Sequence, residues 1–481
     1  MKKILITLFF INSAIFAQPL FLDDKEETTK PVKTAKPVET KKEASTRVEP
    51  RQTATTARPA KATKADAEPW YKTIKFSGMI RWRPEVRENV LFRSGSTESW
   101  VAQKAWLTFS KTFQDKSTAV IRLQDVRVWG GQASSGAATD TATEQQAVDV
   151  REAYINLKDF LGSPIDVQIG RQRIFYGEMR LLGHLDWANV GRSFDAVRFK
   201  YDIPQTNSLH VFGSIIEEGN SLDLNNASAN TNERSFGGIY NTFKGLGFMH
   251  IETYGFARHN ADDPRSESIY TVGTRITNRT RGKKPPKGVN FDYALETAYQ
   301  FGKFNNQNIE AYAGALLAGY TFDAGIKIRL GAEVSVASGD KDANDNKYQT
   351  FNQLYAVPHY IYGIQDLISW QNMASAGPSL KFIFVPGMSL TMSYLYFQRL
   401  ETSDAWYKLP GGTATNLTAA ELGSSEELYH EGDILFIWQA REYLNLHLGY
   451  AIAYAGKGVA DSANTDRMTS HWGYMMTTIK F

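Results

Sequence analysis

From Trp70 onward the chain alternates apolar and polar residues with period two, in segment after segment. In TIKFSGMIRWRPEVR (73–87) one face carries Ile74, Phe76, Gly78, Ile80, Trp82, Pro84 and Val86, and the other Thr73, Lys75, Ser77, Met79, Arg81, Arg83, Glu85 and Arg87. GIKIRLGAEVSVA (325–337) sets Ile326, Ile328, Leu330, Val334 and Val336 against Lys327, Arg329, Glu333 and Ser335. YLNLHLGYAIAY (443–454) repeats the pattern. Successive side chains of a strand point to opposite faces, so each segment needs an apolar surrounding on one side and a polar one on the other.

A soluble sandwich would share that alternation. The terminal strand HWGYMMTTIKF, with Gly473, Met475, Thr477, Ile479 and Phe481 on one face, resembles the last strand of bacterial outer-membrane barrels, which the barrel-assembly machinery reads. The expected fold is therefore all-β, a transmembrane antiparallel β-barrel of about 18 strands with long extracellular loops and short periplasmic turns. The strands fall near 72–88, 100–113, 117–129, 148–158, 164–176, 193–202, 207–217, 235–244, 247–258, 267–276, 289–301, 305–320, 325–337, 368–385, 387–400, 427–439, 441–455 and 469–481. Long connections (130–147, 218–234, 338–367, 401–426, 456–468) tend to alternate with short ones, the exception being the long basic turn TNRTRGKKPPKG at 277–288. An even strand number returns both ends to the periplasm.

Residues 1–17 read as a signal peptide: Lys2 and Lys3, a short apolar stretch and Ala17. Residues 18–69 read as a disordered periplasmic linker rich in Lys, Pro and Thr, either a spacer or a tether to the cell wall or a periplasmic partner. The barrel is expected over 70–481. The formal net charge of +3 belongs to the leading segments, because residues 69–481 hold 41 Lys+Arg against 42 Asp+Glu. A mean hydropathy of −0.37 excludes a polytopic helical membrane protein. The absence of cysteine excludes disulfides, thiolate metal sites and a Cys nucleophile. No HExxH, GxSxG, P-loop or GxGxxG occurs, so no enzyme or cofactor is expected, and the small net charge does not read as that of a nucleic-acid binder.

If the apolar face meets lipid, the opposite face lines a pore. It would carry 14 cations, including Lys75, Arg81, Arg83, Arg87, Lys104, Arg122, Arg198, Arg258, Arg275, Arg329 and Lys381, against 8 anions, including Glu85, Glu152, Glu252, Asp292, Glu296, Glu333 and Asp433. Arginine suits a carboxylate because its planar fork donates two parallel hydrogen bonds. An anion-selecting pore is one reading; internal ion-pair ladders that stiffen the wall are the other.

Four stretches together resemble the alginate-export outer-membrane porins: QDVRVWG (124–130), GRQRIFYGEMRLLGHLDWANVGRSFD (170–195), NFDYALETAYQFG (290–302) and VASGDKDANDNKYQTFNQLYAVPHYIYGIQDL (336–367). The resemblance spans 72–481 in order and implies an 18-stranded monomer that passes an anionic uronate polysaccharide through an Arg-rich constriction. The positions carried over are Arg122, Asp125, Arg127, Arg171, Arg180, Asp186, Arg192 and Asp195, with Arg81, Arg83 and Arg275 matching less specifically. Where many members carry a basic pair at the start of the second strand, this chain has Lys104-Ala105-Trp106, one cation replaced by an indole.

DWANVGRSFD (186–195) reads as either an infolded constriction or a structural brace. Asp340, Asp342 and Asn344 begin like a calcium loop, but Asp345 stands where an EF-hand needs Gly and Phe351 where it needs Glu, so no metal site is expected and these three residues are left as a weak candidate for incidental calcium. The basic turn with Arg279, Arg281, Lys283, Lys284 and Lys287 would either draw a polyanion or simply be solvated. The expected function is a passive outer-membrane channel for a uronate-type saccharide or carboxylated solute. The alternatives are a general or small-anion porin, and a structural or adhesive barrel tethered by its linker.

Overall fold

The computed structural model describes residues 70–481, apart from 96, 131–146, 217–233, 261–266, 280–289, 358, 360, 409–417 and 463–466. The leader, the linker, most of loops 130–147 and 218–234, and Arg281, Lys283, Lys284 and Lys287 lie outside the described residues.

The strands are β1 (Lys75–Glu88), β2 (Glu98–Thr112), β3 (Thr118–Trp129), β4 (Asp149–Leu157), β5 (Ile165–Gln172), β6 (Phe194–Ile203), β7 (Asn207–Ile216), β8 (Arg234–Phe243), β9 (His250–Asn260) and β10 (Glu267–Thr277). They continue with β11 (Phe291–Phe304), β12 (Gln307–Ala324), β13 (Ile326–Ala337), β14 (Lys347–Tyr348), β15 (Met373–Val385), β16 (Met388–Gln398), β17 (Glu427–Arg441), β18 (Leu444–Ala455) and β19 (Thr469–Lys480). The two-residue β14 lies parallel to β12, while β13 pairs directly with β15. The other 18 strands form one antiparallel wall, closed where β19 pairs with β1. Closure leaves no unpaired edge. At the seam, Phe481 exchanges two backbone hydrogen bonds with Gly78 (2.7 and 3.0 Å). Its ring lies where a Cβ on Gly78 would be, 2.3 Å from Cζ.

The alternation sorts as expected on the outside. Ile121, Val197, Val272 and Leu316 stand exposed on the outer face, flanked by Phe291, Phe322 and Trp438 toward the short turns and Trp129, Tyr299 and Tyr454 toward the long loops. An apolar band between aromatic girdles is the outer surface of a membrane-spanning barrel.

The inside departs from a uniformly polar lumen. On β6 to β9 the inward residues Phe194, Phe212, Phe236 and Phe256 form an aromatic patch that Tyr355 caps. The connection 338–372 folds inward, and every described residue from 353 to 373 is buried. Trp370 packs on Phe351, and Trp406 on Tyr429, in the same core. Inward aromatics are stable here because they meet protein instead of water.

Candidate functional site

The connection 173–193 between β5 and β6 also folds into the barrel, and wall cations hold its backbone. Arg81 donates to the carbonyl oxygens of Asp186 (2.9 Å) and Ala188 (3.3 Å). Lys104 donates to the same two (3.0 and 2.5 Å), and Arg83 to Trp187 O (2.5 Å). A bend that turns successive carbonyls to one side leaves them without backbone donors, and charged donors satisfy them strongly. The Trp187 ring lies 3.9 Å from the Arg83 guanidinium carbon and 3.8 Å from the His359 ring, so it sits between the wall and the second infolded segment. Arg192 ties the two segments together by donating to Tyr355 O (2.6 Å) and Gly183 O (3.3 Å).

The Asp186 carboxylate receives Arg151 and Arg173 (2.6 Å each) and lies 3.2 Å from His184. Burial alone would raise its pKa; His184, Arg173, Arg151 and Lys104 instead hold it well below the usual carboxylate range. Glu152 joins Arg173 (3.3 Å) to Arg122.

A second network lies across the lumen. Arg180 meets Glu333 (2.6 Å), the Tyr362 hydroxyl (3.0 Å) and, at 4.0 Å, Glu296. Arg275 meets Glu178 (2.5 Å) and Glu252 (2.9 Å). Arg279 bridges Glu178 (3.8 Å) and Asp292 (3.4 Å), and Arg329 takes Asp292 by two hydrogen bonds (2.8 and 2.6 Å). Burial pushes the Glu178 pKa up, but Arg279, Arg275 and Arg180 outweigh it and hold it at about 2.

The two networks differ in charge. Around 184–192, seven cations (Arg81, Arg83, Lys104, Arg122, Arg151, Arg173 and Arg192) gather about three carboxylates (Glu85, Glu152 and Asp186). The network of Arg180, Arg275, Arg279 and Arg329 contains five carboxylates, Glu178, Glu252, Asp292, Glu296 and Glu333. Of these two networks, only the first holds more cations than carboxylates.

The structure thus gathers Arg81, Arg83, Lys104, Arg122, Asp186 and Arg192 at one infolded segment, and Arg180, Arg275 and Arg329 at the other network. It does not bring in the remaining four. Asp125 and Arg127 pair with each other at 2.6 Å, and Arg171 pairs with Asp195 at 3.6 Å. These positions alternate with the inward Gln124, Val126, Gln172 and Phe194, so both pairs stand on the outer face and line no constriction. Arg279, read in sequence as part of a basic turn, points inward to two carboxylates.

Arg151, Arg173 and Glu178 are functional candidates the alternation missed. A β-bulge between Arg122 and Leu123 skips one residue of β4, so Arg151 and Glu152 both turn inward. Arg173 and Glu178 lie beyond the end of β5, where period two no longer applies.

The weak calcium candidate makes a chain of side-chain-to-backbone turns. Asp340 accepts the Asp342 N–H at 3.4 Å, and Asp342 accepts the Asn344 N–H at 3.0 Å. Among the described residues no group of three potential metal ligands converges.

Residues 72–472 match the alginate-export family. Among curated proteins no relative matches in sequence. The fold is similar to that of the outer membrane protein OprD from Pseudomonas aeruginosa (11% identity, 87% of this chain and 95% of that one, TM-score 0.55). It is also similar to OccAB2 of Acinetobacter baumannii (10%, 85% and 98%, TM-score 0.57) and to Pseudomonas aeruginosa OpdK solved with vanillate (12%, 85% and 99%, TM-score 0.53).

Proposed function

The chain belongs to the alginate-export family and forms an outer-membrane channel; on that premise we propose that it passes uronate-type saccharides or other carboxylated solutes by passive diffusion. The carrying observation is the excess of cations over carboxylates around 184–192. Buried positive charge without matching carboxylates lowers the energy of an anion on the path. Infolded 173–193 and 338–372 would form the constriction. That OpdK is solved with vanillate, a carboxylate, fits a carboxylate path in a barrel of this fold. In the same proposal the barrel is a monomer, residues 18–69 extend into the periplasm as a spacer or tether, and Phe481 is read by the assembly machinery.

Planar-bilayer recording in a salt gradient tests this. An anion-selective reversal potential, with current blocked by oligouronates and not by neutral oligosaccharides, is expected. Cation selectivity would sink the proposal, and anion selectivity without oligouronate block would leave a small-anion porin. One observation favours a second reading, a structural or adhesive barrel: described residues 353–373 are buried inside the wall. Absence of any conductance step would select it.

A further inference from the structure

The infolded connection 338–372 meets β17 at a pair of carboxyl groups. Glu431 and Asp433 stand two residues apart on that strand, both on its inner face and 0% and 6% exposed. The turn 363–366 lies directly on them. The Gln365 N–H donates to Glu431 Oε1 at 3.0 Å, and the Ile364 N–H turns toward Asp433. Ser393 of β16 donates its hydroxyl to Asp433 Oδ2 at 3.3 Å. Gly363, at φ +84°, leaves no room for a side chain, because a Cβ there would stand 2.5 Å from Glu431 Cδ. Gln365 completes the docking by donating from Nε2 to Ser470 O of β19 at 3.1 Å.

No cation answers this pair. Among the described residues, neither carboxyl forms an ion pair with a lysine, arginine or histidine. The turn instead brings a third carboxyl, Asp366, which takes His359 at 2.7 Å. Tyr429 faces Glu431 from the same strand, and Arg87, Arg83 and Glu85 of β1 stand beyond Asp366 and His359. Glu431 Oε2, Asp433 Oδ1 and Asp366 Oδ1 are buried and accept no N–H or O–H from any described residue. Glu431 and Asp433 lie within hydrogen-bonding reach of each other. Two carboxylates that close, out of water and without a cation, do not both stay ionised, so one proton lies between them.

We infer that Glu431 and Asp433 form a proton-held latch: with one shared proton the pair accepts the turn 363–366, and loss of that proton releases the turn from the wall. A second negative charge would face Asp366 as well as its neighbour, and water reaches the pair only when the turn leaves. The docked form therefore holds one proton more than the released form. Docking is favoured as pH falls and weakens by up to about tenfold per pH unit as pH rises. The latch depends on where the infolded connection sits and is independent of which solute passes.

The chain has no cysteine, so Ser369→Cys places a single thiol on the infolded connection at a fully buried side chain. Its alkylation by iodoacetamide in the detergent-solubilised full-length barrel is followed from about pH 5 to about pH 9.5. Each rate is divided by the rate for the same thiol in a chain that also carries Glu431→Gln, whose amide keeps the hydrogen bond to Asp433 and holds its hydrogen at every pH. The division removes the intrinsic rise of thiol reactivity with pH. The ratio should be near one in acid and climb roughly tenfold or more by the alkaline end. Asp433→Asn should act as Glu431→Gln does, and takes its place in the ratio if that variant does not fold. A ratio that stays flat across the range overturns the latch, and leaves the channel reading to be decided by its own reversal potential.

Discussion

Trp187 stacks on His359 with ring centroids 3.8 Å apart and planes 11° from parallel. The two rings belong to different infolded segments, so the contact makes one body of what the chain supplies from two places. Arg83 lies over the same indole and ties that body to β1.

Trp187→Ala should therefore loosen both segments. Removing a buried tryptophan typically costs about 3–5 kcal/mol. We expect a lower midpoint in denaturant unfolding of the detergent-solubilised barrel, together with larger or noisier single-channel conductance. Unchanged conductance would mean that 173–193 does not narrow the path.

Arg180 and Glu333 form a buried pair across the lumen at 2.6 Å. Glu333→Gln leaves Arg180 with its Tyr362 contact and the longer approach to Glu296, and should destabilise the barrel by about 3–5 kcal/mol. Replacing both by apolar residues of similar volume, Arg180→Met with Glu333→Leu, should recover much of that loss. Equilibrium unfolding of the three variants decides.

Acid should undock 173–193 before it unfolds the wall. Glu178 has a folded pKa lowered from 4.5 to about 2, so its contribution is complete above the unfolded value and is lost as pH falls through the folded one. The midpoint temperature should hold steady at neutral pH and fall between about pH 4.5 and 2. Glu178→Gln should flatten that fall while lowering stability at pH 7, since Arg275 loses its 2.5 Å partner.

Gly78 leaves the space that the Phe481 ring occupies. Gly78→Val should impair closure of β1 on β19 and reduce the fraction of heat-modifiable, folded barrel on gels. In refolding of the purified chain into detergent, where no assembly machinery acts, combining it with Phe481→Ala should restore part of that fraction by vacating the contact. Full folding of the single variant would show that the ring can move aside without loss.

Much of the wall was legible in the alternation. The strict period of two in 73–87 set Arg81, Arg83 and Glu85 on the inner face, and the structure finds all three buried there. The same rule, applied to Asp125, Arg127, Arg171 and Asp195, assigns them to the outside, where the structure has them; the resemblance to a family had grouped them with the constriction. The rule failed at Arg151, because a bulge inserts an extra residue and resets the phase, and a bulge has no reliable signature in one sequence.

By itself, then, the sequence determined the membrane barrel, the strand number and the face each regular strand residue takes, because lipid outside and protein or water inside impose a period that the chain must display. Only the tertiary structure decided which partner each inward cation takes. That depends on 173–193 and 338–372 entering the lumen, where carbonyls of Asp186, Trp187 and Ala188 take up Arg81, Arg83 and Lys104, the Asp186 carboxylate takes Arg151 and Arg173, and Glu152 takes Arg122. Loop entry is a matter of long-range packing, and no local period records it.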